Sequence, residues 1–517
     1  MSDQQSHSEQ AGVLFLGKIL ATAVDLLAPI IIVRLLGKIE VGLLSALLLI
    51  YGTVATFAAA GMPSTLMYYL PGRTPEERGA IARKVAQGLF ILGSGCSVVF
   101  ITIAGATLLF PDFILKFIAD DAAQQSLIDP AQTAGYLALL ALYPLADLPT
   151  RMLPNLLVVE GRARAAAGVG IIKAIGAGLA LLLPLALEAD LWIVIASMTT
   201  FAYLYSVILL RYLSSLFPKR GHASDITMRQ LFKFGIPLGF TDIVGVLNAG
   251  VDRYLILAMF PAAIFAEYHT GGWQVPLITS VAYTVGTVYM PRFAKLFKHG
   301  KAREALVIWH ETIQKVAILV MPLAMVFIVA AEETMVLLFT KEYLASADVF
   351  RIYSILMLGR VAAFGVIIVA AGRPGLVLKA ALLSLVANII ISVPLTWALG
   401  FTGPAWGTLL AFIPTVIAYC WCIGKATDIP LREIFPLWIW TKTLALTLVA
   451  AAPAIALKLT LPPMHAGLML LVIAVTLLTS YAILGTLLKQ IHKEDWAYLG
   501  DWFKLRFLRQ GGEETNK

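Results

Sequence analysis

Hydrophobic runs of about 20 residues recur from one end of the chain to the other, and they limit the fold more than any other feature. Each run is long enough to cross a hydrocarbon core of about 30 Å as an α-helix. No soluble domain fits between the runs. The sequence therefore predicts an all-α integral membrane protein with about fourteen transmembrane helices, at approximately 11–36, 40–70, 82–110, 131–158, 163–187, 190–216, 230–258, 262–292, 303–330, 346–371, 374–399, 403–424, 436–459 and 465–488.

Composition agrees with a membrane protein, because 59% of the 517 residues are hydrophobic and only 14% are charged. These values lie outside the usual range for soluble globular proteins. The net charge of +8 does not indicate nucleic-acid binding, since the basic residues are spread over short loops instead of forming a stripe. Cys96, Cys420 and Cys422 lie in apolar runs without other ligands at metal spacing, so we interpret them as buried thiols and predict no metal site.

Charges in the connecting loops predict the orientation of the helices. If the N-terminus is cytosolic, the inner loops hold most Lys and Arg residues and the outer loops hold most acidic ones. This alternation supports an even number of helices and places both termini in the cytosol. Representative inner-loop residues are Arg73, Arg78, Arg83, Lys84, Arg162 and Arg164, and representative outer-loop residues are Asp120, Asp121, Glu188, Asp190, Glu332 and Glu333.

Two short motifs recur at a spacing slightly above 200 residues, which indicates an internal repeat. YYLP ends at Pro71 and VYMP at Pro291, while VVEGRARA contains Gly161 and VAAGRPG contains Gly372. Because six helices separate corresponding motifs and six is even, the two halves have the same orientation and are related by a pseudo-two-fold axis along the membrane normal. The predicted domains are an N-terminal six-helix lobe (1–217), a C-terminal six-helix lobe (218–428), two extra transmembrane helices (429–490) and a cytosolic amphipathic tail (491–517).

Polar and charged side chains inside the predicted spans mark the candidate transport pathway. Each costs roughly a few kcal/mol at bilayer depth unless it is paired or faces a wet cavity. They are dense between about Phe234 and Phe293, and the polar stripe of the seventh span resembles a stripe on one face of the first span. The candidate pathway residues are Lys18, Asp25, Lys173, Thr241, Asp242, Asn248, Asp252, Arg253, Glu267, Gln274 and Arg360.

Some charged groups also have a structural interpretation. Asp147 and Arg151 in the fourth span are four residues apart, so an ion pair within a proline-broken helix is favoured over a ligand site. Lys173 and Arg360 have no obvious local partner in the sequence. For these two residues, a cavity-facing role and an interhelical salt bridge remain equally open.

The acidic candidates suggest gating or coupling. Asp252 and Glu267 can pair with Arg253 as an outer gate instead of binding a ligand. Asp25 and Asp242 are candidates for ion coupling, because a carboxylate at bilayer depth can exchange a proton as a carrier changes state. We favour Asp25, which lies about two turns from Lys18 on the same helix face and would compete with substrate for its ammonium group.

The signatures of soluble enzymes are missing from the sequence. It has no Walker A loop for ATP, no HExxH and no GxSxG. We therefore expect a protein that is not an enzyme and has no catalytic residues, metal or cofactor. A proton or sodium gradient, or the membrane potential, would supply the energy for transport.

Several short motifs are spread along the chain. They are the Gly-Arg pairs at 161–162 and 372–373, FGIPL at 234–238, DRYLI at 252–256 and GFTGPAWGT at Gly400–Thr408. In order and spacing they resemble the polysaccharide-transporter branch of the MOP superfamily, the Wzx-type flippases of lipid-linked oligosaccharides. The resemblance covers nearly all of the chain. It implies two six-helix lobes around a V-shaped, cation-lined cavity, with the two extra helices offering a groove for a polyprenyl tail.

The function implied is a flippase that moves polyprenyl-pyrophosphate-linked oligosaccharide from the cytosolic to the outer leaflet of a bacterial or archaeal plasma membrane. Transport would use ion-coupled alternating access and would serve cell-surface polysaccharide synthesis, such as O-antigen or exopolysaccharide. We expect a monomer that contacts membrane lipids and the polymerase and glycosyltransferases of its pathway, but no nucleic acid. The expected ligands are Lys18, Lys173 and Arg360 for the pyrophosphate, and Thr241, Asn248 and Gln274 for the sugar hydroxyls.

Two other functions are alternatives to the flippase. A multidrug/cation antiporter of the same superfamily needs carboxylates that face cationic drugs. Asp25 and Asp242 fit that need, but Lys18, Lys173 and Arg360 argue against it. A membrane glycosyltransferase or polymerase for the same lipid-linked sugars generally has a substantial extracytoplasmic loop, and none is found in this sequence.

Overall fold

A computed structural model describes residues 27–59, 61–111, 129–217, 225–273 and 276–490. Within these ranges all regular structure is helical and no β-strand occurs, which confirms the predicted all-α fold. The helices are α1 (27–35), α2 (Lys38–Ala59), α3 (Met62–Tyr69), α4 (Pro75–Leu109), α5 (Pro130–Leu140), α6 (Tyr143–Thr150), α7 (Leu153–Val159), α8 (Ala163–Ala186), α9 (Leu191–Leu216), α10 (Met228–Met259), α11 (Ala262–Gly271), α12 (Pro276–Lys298), α13 (Ala302–Val329), α14 (Ala331–Phe339), α15 (Ser346–Gly359), α16 (Phe364–Ala370), α17 (Pro374–Leu399), α18 (Gly403–Thr427), α19 (Leu431–Ile434), α20 (Leu437–Thr460) and α21 (Ala466–Leu487).

In the described part of the chain, ten helical runs are long and apolar enough to cross a membrane. One of them, Pro374–Thr427, contains both α17 and α18. The protein is therefore a multi-pass membrane protein. The count of fourteen stays a prediction, because the first span lies mostly outside the described residues and the fourth and eighth spans are built from shorter helices. Lys18, Asp25, Gln274, Asp120, Asp121 and the tail 491–517 also lie outside the described residues.

Prolines explain why the predicted fourth span consists of the three short helices α5, α6 and α7. Pro144 and Pro154 each lie in the first turn of a new helix, where the missing N–H costs no intrahelical hydrogen bond. The break between α6 and α7 leaves Arg151 at the C-terminal end of α6, with its N–H donating to the Leu148 carbonyl at 3.1 Å. The negative end of the helix dipole favours a cation at this position.

The predicted tenth span breaks in a similar way. Helix α15 ends at Gly359, and the N–H of Arg360 donates to the Met357 carbonyl at 3.1 Å. The chain then continues without helix until α16 begins at Phe364. An arginine thus stands at a mid-span helix end in both the fourth and the tenth spans.

Both of these spans also close on a glycine in the left-handed region, Gly161 at φ 70° and Gly372 at φ 75°. The N–H of Arg162 donates to the Leu157 carbonyl at 2.8 Å, and the N–H of Arg373 donates to the Ile368 carbonyl at 3.2 Å. This is the Schellman pattern, and glycine adopts its αL position without steric cost. The Gly-Arg repeat found in the sequence therefore corresponds to a repeated helix end.

The other pair of motifs differs between its two copies. Pro71 follows the end of α3, whereas Pro291 lies inside α12, which continues to Lys298. The YYLP motif thus ends a helix and VYMP does not.

The described residues form two compact units. The first extends to Leu247 and includes Leu257–Ala266, and the second comprises Asn248–Ile256 and the described residues from Glu267 onward. The core of the first unit contains two buried clusters, one around Tyr51, Phe100 and Leu140 and another around Met62, Leu89 and Leu213. The domain boundaries proposed from the sequence stay predictions.

The last two long helices belong to the second unit and pack against α13. Ile318, Leu446, Ala450 and Tyr481 form a buried cluster there. At one end of α20 the indole Nε1 of Trp440 donates to the Leu358 carbonyl at 2.9 Å. At the other end Lys458 Nζ donates to Glu333 Oε2 at 2.9 Å and to the Val329 carbonyl at 2.9 Å. Helix α20 is thus fixed to its unit at both ends.

Candidate functional site

A buried carboxylate on α6 organises a group of charged side chains in the first unit. Asp147 Oδ1 accepts a hydrogen bond from Lys173 Nζ on α8 at 2.6 Å, and Asp147 Oδ2 accepts one from Arg151 Nε at 2.9 Å. The hydroxyl of Tyr51 on α2 donates to the same Oδ2 atom. We name Asp147, Arg151, Lys173 and Tyr51 the Asp147 cluster. The predicted Asp147–Arg151 ion pair is confirmed, and it includes a salt bridge from Lys173.

Neighbouring groups orient the two cations of this cluster. Lys173 Nζ also donates to Thr150 Oγ1 at 3.3 Å. The ammonium lies 5.9 Å from the centre of the Tyr205 ring, and the guanidinium carbon of Arg151 lies 5.9 Å from the centre of the Tyr51 ring. Cation–π contacts of this length add a modest attraction and restrict the side chains.

The charges of the Asp147 cluster differ in exposure. The Asp147 side chain is 5% exposed, whereas Arg151 is 28% and Lys173 is 35% exposed. Lys173 is ten residues into α8, which corresponds to about 15 Å along a helix whose 24 residues span about 36 Å. The cluster therefore lies near the middle of a membrane-spanning helix and presents its cationic parts at its accessible side.

A second carboxylate, Asp252 on α10, organises a similar group in the second unit. It is 6% exposed, and its Oδ2 atom accepts hydrogen bonds from the hydroxyl of Tyr353 on α15 and, at 3.4 Å, from that of Tyr268 on α11. The two hydroxyl oxygens are 3.3 Å apart. Arg253 and Arg360 are the cations that interact electrostatically with this carboxylate. Asp252, Arg253, Arg360 and the two tyrosines are named the Asp252 cluster.

The two clusters share a composition. Each combines one buried carboxylate with two cations. Each carboxylate also accepts a hydrogen bond from a tyrosine hydroxyl, that of Tyr51 in the predicted second span or that of Tyr268 in the predicted eighth span. These are the second spans of the two repeat halves. Each also contains the arginine at a mid-span helix end. Counted over the described side chains that form them, each cluster carries one positive charge in excess.

A neutral hydrogen-bonded chain lies beside the Asp252 cluster in the second unit. Asn248 Nδ2 donates to Ser384 Oγ on α17 at 3.2 Å, and Ser384 Oγ is 2.7 Å from Thr415 Oγ1 on α18. Thr415 donates to the Ala411 carbonyl at 2.7 Å, so the Ser384 hydroxyl donates to Thr415. This arrangement fixes the side chain of Asn248, one of the residues predicted to contact sugar hydroxyls.

The remaining described candidates are not assembled into one group. Thr241 and Asp242 are exposed on the part of α10 that belongs to the first unit, whereas Asn248 and Asp252 belong to the second. Glu267 on α11 is half-buried, and its backbone carbonyl accepts a hydrogen bond from Ser346 Oγ at 2.8 Å. The predicted roles of these residues stay predictions.

Sequence reasoning overlooked the three tyrosines that hold the carboxylates. Tyr51 and Asp147 are 96 residues apart, and Tyr353 and Asp252 are 101 residues apart. A tyrosine in an apolar span is a common core residue, and its hydroxyl needs a partner when buried. That need is a usable signal, although it does not identify the partner.

Comparisons with known proteins identify the fold. The model of a family described as polysaccharide biosynthesis protein matches residues 132–348. No curated protein matches the sequence. Among solved structures, the lipid II flippase MurJ in an inward closed conformation aligns with a TM-score of 0.64 at 12% identity, covering 92% of this chain and 98% of that chain.

Two further structures have the same fold. A MOP superfamily transporter from Pyrococcus furiosus, for which a reverse polarity of the binding pocket is described, aligns with a TM-score of 0.54 at 16% identity, over 81% of this chain and 94% of that chain. A multidrug resistance MATE family transporter of the MOP superfamily, in an inward-facing conformation, gives a TM-score of 0.57 at 16% identity, over 80% of this chain and 96% of that chain. The fold expected from the resemblance to the MOP superfamily is confirmed.

Proposed function

We propose that this protein is a flippase that moves a polyprenyl-pyrophosphate-linked oligosaccharide from the cytosolic to the outer leaflet during cell-surface polysaccharide synthesis. The observation that carries this proposal is the extent of the fold match. The lipid II flippase covers 92% of the chain and the two transporters cover 80% and 81%. The flippase therefore matches about 60 more of the 517 residues than either transporter does.

A shared fold does not identify a substrate, so the chemistry of the site has to support the choice. A polyprenyl-pyrophosphate sugar joins an anionic linker to a hydroxyl-rich head and a long apolar tail. The Asp147 cluster supplies excess positive charge beside the membrane-spanning helix α8, which suits the linker. The match of residues 132–348 to a polysaccharide biosynthesis family supports the same substrate class.

A cation antiporter is less well supported by the same side chains. Such a carrier needs carboxylate oxygens that are available to a cationic drug. The two buried carboxylates described above already accept hydrogen bonds, Asp147 from Lys173, Arg151 and Tyr51, and Asp252 from Tyr268 and Tyr353. Asp242 is exposed and keeps its proposed role in coupling.

The proposal also includes an energy source, a location and partners. Because the sequence has no ATP-binding motif, we propose that an ion gradient drives transport. Transport proceeds by alternating access coupled to a proton or sodium ion, and Asp25 and Asp242 are the proposed coupling residues. The chain resides in a bacterial or archaeal plasma membrane with both termini in the cytosol. The pathway's polymerase and glycosyltransferases are its proposed partners.

Complementation tests this function. A bacterial strain that lacks its own oligosaccharide flippase accumulates lipid-linked oligosaccharide on the cytosolic leaflet, and expression of this chain should restore surface polysaccharide. Cells that lack drug exporters provide the opposing test, in which the chain should give no resistance to cationic dyes. Dye resistance without polysaccharide in a panel of flippase-deficient strains would favour the antiporter.

A further inference from the structure

The Asp147 cluster has an excess of positive charge at bilayer depth, where an uncompensated charge costs free energy. Lys173 lies about midway along the membrane-spanning helix α8, where Asp147 binds both Lys173 and Arg151, and an ionised group at this depth needs a counter-ion or water. Asp147 neutralises one of the two cations. A negatively charged ligand would supply a counter-ion for the other.

We propose that Arg151 and Lys173 form a diphosphate-binding pair and that Asp147 is their built-in counter-ion, which holds them when the ligand is absent and competes with it for release. This inference rests on the proposed function for the identity of the ligand, a polyprenyl diphosphate. It assigns ligand contacts to Arg151 and a regulatory contact to Asp147. Neither residue was among the candidate ligands from the sequence.

Donor geometry supports the pair. Arg151 binds Asp147 through Nε, and its side chain also interacts with Tyr51, while the guanidinium stays 28% exposed. Lys173 Nζ binds Asp147 Oδ1 and Thr150 Oγ1, which leaves one of its three N–H groups. The accessible side of the cluster therefore presents N–H donors from a guanidinium and an ammonium. Such donors bind phosphate oxygens through charge-assisted hydrogen bonds.

Tyr51 explains how the counter-ion can stay in place while the cations turn to a ligand. Its hydroxyl donates to Asp147 Oδ2, the oxygen that also accepts from Arg151 Nε. If Arg151 and Lys173 shift toward a diphosphate, the carboxylate keeps this hydrogen bond and remains buried. Tyr51 is thus a positioning residue for Asp147.

Charge arithmetic shows why the carboxylate limits affinity. Without ligand the cluster carries +2 from the cations and −1 from Asp147. Counting the carboxylate as −1, a diphosphate diester with about two negative charges brings the total to −1. With Asn at position 147 the bound state would be neutral. The carboxylate therefore weakens ligand binding, which a carrier needs for release into the other leaflet.

Binding of undecaprenyl diphosphate to the purified full-length protein, followed by native mass spectrometry, tests the inference. Asp147→Asn should bind this probe about tenfold more tightly than wild type. Arg151→Gln and Lys173→Gln should each bind it at least tenfold more weakly. Uncharged undecaprenol should bind all variants alike, because only the diphosphate contacts the cluster.

Two further variants keep the test decisive. If Asp147→Asn alone does not fold, the double variant Asp147→Asn/Lys173→Gln has the wild-type net charge, and it should bind the probe about tenfold more tightly than Lys173→Gln. Lys458→Gln is the matched control, since it removes a lysine that pairs with a carboxylate, Glu333, on α14. Its affinity for the diphosphate should equal that of wild type.

The outcomes separate this inference from the proposed function. Equal affinity of wild type and all variants for the diphosphate, together with normal oligosaccharide transport, would overturn the inference and leave a flippase with a structural ion network. Affinities that change as expected, in a protein that transports no lipid-linked oligosaccharide, would support the anion site and overturn the flippase.

Discussion

The sharpest stability prediction concerns Gly61, between α2 and α3. Its φ of 64° lies in the left-handed region. A Cβ atom at this position would overlap the backbone oxygen of Gly235 and lie 2.5 Å from the backbone nitrogen of Gly239, both on α10. Backbone atoms of a helix cannot move aside as a flexible side chain can. Gly61→Ala should therefore separate α3 from α10.

The expected cost has two parts. Left-handed backbone costs an alanine roughly 1 to 2 kcal/mol relative to glycine. Overpacking adds about 1 to 3 kcal/mol, so Gly61→Ala should cost about 2 to 5 kcal/mol in total. Gly72 is the matched control, because its φ of 77° is also left-handed but no atom lies within 4 Å of an added Cβ. Gly72→Ala should therefore cost only the backbone part.

Thermal unfolding of the detergent-solubilised protein, followed by fluorescence-detected gel filtration, measures the difference between the two variants. Gly61→Ala should lower the apparent melting temperature more than Gly72→Ala and should yield less monodisperse protein. Equal shifts for the two substitutions would refute the reasoning, since they would show that the close approach of α3 and α10 does not limit stability.

Two other predictions follow from the structure. Tyr353→Phe removes a hydroxyl that donates to the buried Asp252 carboxylate. The substitution should therefore lower the stability measured by thermal unfolding by about 1 to 3 kcal/mol. An unchanged melting temperature would contradict this prediction. For topology, a single cysteine at position 190 should react with an impermeant maleimide in intact cells and one at position 77 should not, and equal labelling of both would exclude the predicted orientation.

The fold was largely predictable because its determinants are local. A run of about 20 apolar residues needs a helix to cross the membrane, whatever its neighbours are. The prolines at positions 144 and 154 predict an interrupted fourth span, and the repeated Gly-Arg pair, which predicts an internal repeat, corresponds to a repeated helix end. Each of these signals acts within a few residues of the structure that it causes.

The candidate site was only partly predictable because its contacts are not local. The sequence pairs Asp147 with Arg151, four residues away, but it does not show that Lys173, from the next helix, binds the same carboxylate. It gives no sign that Tyr51 completes the cluster from 96 residues away. Helix periodicity predicts which face a side chain occupies. The neighbour that meets this face depends on tertiary packing.

Reconstitution of the purified protein in liposomes measures the central claim most directly. The liposomes contain an undecaprenyl-diphosphate-linked oligosaccharide whose sugar has a fluorescent label, and an external quencher that does not cross the membrane reports the fraction in the outer leaflet. The account predicts that protein with an imposed proton or sodium gradient redistributes the label between leaflets, whereas protein-free liposomes and liposomes with Lys173→Gln do so at least tenfold more slowly. Equal redistribution rates in liposomes with and without the protein would contradict it.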